Sequence, residues 1–108
     1  MSIIDKDKID SIGIDKENGN VILGISDHLD WSNEYEHLIM LQDKINSYLN
    51  FIESGEIYES YPKAKDRNIE IMIYAKYDIT EKGEEFFNFA YNTIVESGFS
   101  LSCKITGE

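Results

Sequence analysis

Ile69-Glu70-Ile71-Met72-Ile73-Tyr74-Ala75-Lys76-Tyr77 decides the fold. Its residues alternate strictly, the period of a β-strand with two unlike faces. Ile69, Ile71, Ile73, Ala75 and Tyr77 share one face, and Glu70, Met72, Tyr74 and Lys76 share the other. Downstream the period becomes helical. Thr80 is a candidate N-cap, and Glu81, Glu84 and Glu85 sit near the positive end of the helix dipole. Phe86, Phe87, Phe89, Ala90, Tyr91, Ile94 and Val95 form the apolar face, and Gly98 ends the helix. Gly83, inside this helix, has no evident reason to be glycine. Phe99, Leu101, Cys103 and Ile105 then alternate with Ser100, Ser102, Lys104 and Thr106 as a last strand.

Upstream, residues 56–68 read as a loop with Tyr58, Tyr61 and the single proline, Pro62. Its Lys63-Ala64-Lys65-Asp66-Arg67 run reads as a solvated loop. Arg67 is the anchor if the run instead contacts an anion, because its planar fork suits bidentate acids. Before the loop, Tyr35, Leu38, Leu41, Ile45, Tyr48, Leu49 and Ile52 recur at three- and four-residue steps. That stripe predicts an amphipathic helix over about 33–54, with Lys44 among the polar residues opposite it. Gly55 is its expected left-handed stop. Residues 9–15 and 21–26 read as two strands joined through Asn18-Gly19, a pair suited to a tight turn.

The expected architecture is therefore α+β: a single domain over 1–108, with one four-stranded mixed sheet and two helices on one face. The element order is β-β-α-β-α-β. The long loop leaves the strand order open.

Bulk properties narrow the function classes. The 108 residues suit one domain, and 42% hydrophobic with 12% aromatic content suits a packed core. A formal net charge of −11 argues against nucleic acid and anionic membrane surfaces as partners. It is compatible with a basic protein partner. One cysteine, Cys103, excludes an intrachain disulfide. The N-terminal residues lack the apolar core of a signal peptide and no run approaches spanning length, so a cytoplasmic location is expected.

One segment concentrates reactive side chains. Ser26-Asp27-His28-Leu29-Asp30-Trp31-Ser32-Asn33-Glu34-Tyr35-Glu36-His37 holds both histidines and the only tryptophan, and no Lys or Arg lies between Lys16 and Lys44. Asp30, Ser32 or Asn33 capping the helix, with Glu34 and Glu36 at its positive end, accounts for most of it. His28, Glu34 and His37 are the candidate metal ligands, although their spacing is poor and no His-x3-His pair exists. No nucleophile motif accompanies the histidines, and Cys103 falls on an apolar strand face. No catalytic residue and no cofactor is expected. Trp31 is expected to fold back onto the core, with an exposed anchor as the alternative. The sheet face carrying Ile22, Met72 and Tyr74 is neither clearly core nor clearly wet, so self-association as a homodimer through it is expected.

Ile25-Ser26-Asp27-His28-Leu29-Asp30-Trp31 and Phe51-Ile52-Glu53-Ser54-Gly55-Glu56-Ile57-Tyr58-Glu59-Ser60-Tyr61-Pro62 resemble an uncharacterised bacterial family known only as a domain of unknown function. The resemblance runs over nearly the whole chain. It implies a bacterial cytosolic protein and no activity, cofactor or catalytic residue. The reading that follows is a protein-interaction module, an immunity or inhibitor protein being one concrete version. Its partner surface would be Asp27, Asp30, Trp31, Glu34 and Glu36 against another, basic protein. The alternative is a metal- or small-ligand-binding protein using residues 27–37.

Overall fold

Strand β1 (Ser11–Ile14) runs antiparallel to β2 (Val21–Asp27), which is parallel to β3 (Ile69–Ala75), itself parallel to β4 (Ser100–Ile105). The sheet order is β1-β2-β3-β4. The structure, a computed structural model, describes residues 3–5 and 8–107. Helix α1 (Glu34–Glu53) lies between β2 and β3, and α3 (Glu81–Glu96) joins β3 to β4. Both connections link neighbouring parallel strands and both advance the same way across the sheet. Right-handed crossovers then put both long helices on one face.

That face is the core. Val21, Leu23 and Ile25 of β2, Ile69, Ile71 and Ile73 of β3 and Leu101 of β4 meet Leu41, Ile45, Tyr48 and Ile52 of α1 and Ala90 and Ile94 of α3, all buried. The opposite face carries Ile22, Met72 and Tyr74, all half-buried. Gly24 belongs to that face for a steric reason: a Cβ there would lie 2.2 Å from Ser11 Oγ and 3.0 Å from the Tyr74 ring.

The structure differs from the expected order in one place. Residues 56–68 contain a short helix α2 (Glu56–Ser60) and a 3-10 turn (Pro62–Ala64) rather than an unstructured loop. Ile57 and Ala64 are completely buried, so the segment is tied to the core by two apolar points too few to make a readable period. Gly55 adopts φ 85°, the expected left-handed stop of α1. Arg67 donates from Nη1 to the Gly19 carbonyl and from Nε to the Lys63 carbonyl, both at 2.9 Å. It staples the loop to the hairpin, whose Gly19 has φ 76°.

The expected apolar stripes hold with named exceptions. Tyr77 lies past the end of β3 and is exposed, Phe89, Tyr91 and Val95 of the expected α3 face reach solvent, and so does Ile105 at the end of β4. In α1, Tyr35 is 76% exposed, and Lys44 is completely buried. Lys44 Nζ donates to the carbonyls of Asp5 and Lys8, each at 2.6 Å, and to Asp10 Oδ1 at 2.9 Å. Three oxygens replace the water that a buried ammonium loses. The other Asp10 oxygen accepts from the Ser26 amide, and Tyr48 donates to the Gly24 carbonyl while accepting from the Asp10 amide. The N-terminal segment is thereby fastened to α1 and to β2. No helix among the described residues is long and apolar enough to cross a membrane.

Candidate functional site

The segment from 27 to 37 lies where β2 ends and α1 begins, at the carboxyl ends of the parallel strands. In open sheets of this kind, ligand sites gather at that edge. Asp27 is the last residue of β2, on the core face that continues Val21, Leu23 and Ile25. His37 is one turn into α1 on its buried side. Both are almost fully buried, at 3% and 2% exposure. His37 Nε2 lies 2.8 Å and 2.7 Å from the two Asp27 oxygens, and Nδ1 lies 3.0 Å from the Asp30 carbonyl. Both ring nitrogens therefore face oxygen atoms, so the ring is held at both ends. The Leu29 amide gives Asp27 Oδ1 a further bond at 3.2 Å.

Trp31 stacks on the His37 ring, centroids 3.7 Å apart and planes inclined by 24°. Its far edge reaches α3 at Gly83, where a Cβ would lie 3.1 Å from the indole and 2.7 Å from Ile79. The glycine that the sequence left unexplained is thus the seat of the tryptophan. Trp31 is half-buried and packs on the core, as expected from its place before a helix.

Beneath Trp31, a cleft is bounded by Asp27, Ile73, Gly83, Phe86 and Cys103. Its volume of about 20 Å³ is room for about one water. Burial, and secondarily the Asp27 charge, push the Cys103 thiol above its ordinary range. A thiol so placed stays protonated and is a poor nucleophile. With both His37 nitrogens engaged, the ring offers no base or metal ligand unless the pair is broken.

The remaining residues of the segment turn outward. Asn33 caps α1, accepting from the Glu36 amide at 3.2 Å and donating Nδ2 to Glu36 Oε2 at 2.9 Å, a variant of the capping box. Asp30 Oδ1 accepts from the Ser32 hydroxyl and amide, which together with the charge of His37 hold its carboxyl below the usual range. Of the expected partner-binding acids, Asp30, Glu34 and Glu36 reach the surface, Glu34 partly. Asp27 does not: as the buried partner of His37 it cannot present a surface charge. Of the candidate metal ligands, His28 is exposed and His37 is occupied. Among the described residues, no three His, Cys, Asp or Glu side chains are grouped as a metal site requires.

Sequence reading missed the Lys44–Asp10–Tyr48 network. Its signal was present: Lys44 lies three residues after Leu41 and four before Tyr48, inside the apolar stripe rather than opposite it.

An acidic α+β domain with two crossover helices on one face and a saturated Asp–His pair at its strand ends is the class defined by this geometry. The chain belongs to a family of unknown function (DUF6572), whose model matches residues 1–107. No protein of curated function and no solved structure matches it.

Proposed function

We propose that the chain is a small, non-enzymatic protein-interaction module that docks a basic protein on the start of α1, in the manner of an immunity or inhibitor protein. The observation that carries this reading is Tyr35, an aromatic 76% exposed between Glu34 and Glu36 and followed one turn later by the partly exposed Ile39. Tyrosine is enriched among the few residues that dominate binding energy. The surrounding acids are pre-ordered by local hydrogen bonds, Asp30 to Ser32 and Glu36 to Asn33, which lowers the ordering cost of docking. Complementary charge then speeds encounter and rejects acidic competitors.

Co-purification from the native host at low salt tests it. A stable basic partner should be recovered by the intact chain and lost with Tyr35→Ala or with Glu34→Gln and Glu36→Gln, while melting is unchanged. Recovery of no partner, or a partner indifferent to these changes, overturns the reading.

A further inference from the structure

From the geometry of the β4 edge, one of the two edges of the sheet, we infer that two copies of this chain pair through β4 into one continuous eight-stranded sheet. The Thr106 amide donates to the Ala75 carbonyl at 2.8 Å. By strand alternation, the backbone groups of Ser100, Ser102 and Lys104 then point to β3, and those of Leu101, Cys103 and Ile105 point away from it. Among the described residues no strand lies beyond β4. An outward row of amides and carbonyls is a template for another strand. β4 contains no proline to blunt it.

One register satisfies this row completely. A two-fold axis through Cys103 pairs Cys103 with its own copy and Leu101 with Ile105 of the other, so that all outward amides and carbonyls of the three residues bond across the seam. It keeps the core face of one copy beside the core face of the other. It also opposes Lys104 of one copy to Ser102 of the other, residues about 5.5 Å apart or less between Cα atoms. Ser102 Oγ already donates to Glu70 Oε2 at 2.5 Å, so the incoming ammonium meets a carboxylate that is in place. Lys104 is exposed and forms no ion pair with a described residue. This complementarity answers the objection that two chains of −11 repel, since repulsion between distant surface charges is screened beyond about 8 Å at physiological salt.

The helical layer fits the same seam. Neighbouring helices pack about 8–10 Å apart, two strand spacings. Four strands carry two long helices here, so a continued sheet brings the partner's α3 alongside at one helix spacing. The side of α3 turned from α1 presents the Phe87–Tyr91 pair, rings 6.5 Å apart, and Val95, with Tyr91 and Val95 left about half exposed in one copy. The two α3 helices run antiparallel, which keeps each Glu84 near the far end of the other helix and away from its own copy.

This surface is separate from the start of α1, so its failure and that of the proposed docking site are independent. Sedimentation of the full chain across the micromolar range should show a dimer. Lys104→Glu and Glu70→Lys should each weaken dimerisation roughly tenfold or more, and the double reversal should restore it, all three variants melting as folded proteins. A monomeric wild type, single variants that dimerise normally, or a double variant no better than the singles overturns the inference.

Discussion

Removing His37 leaves the buried Asp27 carboxyl short of its main partner, so His37→Ala should cost about 3–5 kcal/mol in urea unfolding. Gly83→Ala sets two effects against each other. Alanine gains roughly 1 kcal/mol of helix propensity, but its methyl presses on Ile79 and Trp31, which costs about 1–3 kcal/mol. The steric effect should win, with a net loss of stability and a red shift of Trp31 emission; a stabilised variant would refute the seating of the indole. Tyr48 gives a pH signature. Burial holds its phenol neutral and raises its pKa. Its contribution is therefore complete below about pH 10, the unfolded value, and is lost as pH rises through the higher folded value. Tyr48→Phe should lower stability by about 1–2 kcal/mol at neutral pH and flatten the alkaline decline measured by unfolding.

Among the elements, α1 depends on polar residues of two kinds. The Asn33 cap is exposed and local, closing the helix with side-chain bonds to Glu36 alone. Lys44 instead ties the helix to distant chain. Lys44→Ala should cost about 3 kcal/mol or above, because it strands the buried Asp10 carboxylate and two carbonyls. The N-terminal segment should then become the first part of the chain to exchange amide hydrogens; unchanged exchange there would show that Lys44 does not fasten it. The strands were legible because alternation repeats: Ile69 to Ala75 offers seven consecutive agreements. Helix α2 was not, because its one buried residue, Ile57, has no period.

At the scale of the whole molecule, charge and topology act separately. The −11 charge favours solubility and opposes compactness through self-repulsion. Moderate salt should therefore raise the melting temperature by a few degrees; a fall would mean that the buried ion pairs dominate. Topology places the carboxyl ends of three parallel strands and the starts of two long helices at one edge. The polar residues gathered there close into an Asp–His–Trp assembly. The proposed partner surfaces lie beside it, at Tyr35, and along β4.

Sequence alone determined the four strands of a mixed sheet, the two long helices, the Thr80 cap and the faces of β2, β3 and β4. It narrowed the α1 cap to Asp30, Ser32 or Asn33. These follow from nearest-neighbour spacing and short-range hydrogen bonds, which any segment carries with it. Only the tertiary structure decided that Asp27 pairs with His37, that Lys44 is buried, that Gly83 seats Trp31 and that β4 is a free edge. Each of these depends on how separate segments meet in space, and the sequence period, which placed Lys44 in the apolar stripe, does not record which partner lies opposite it.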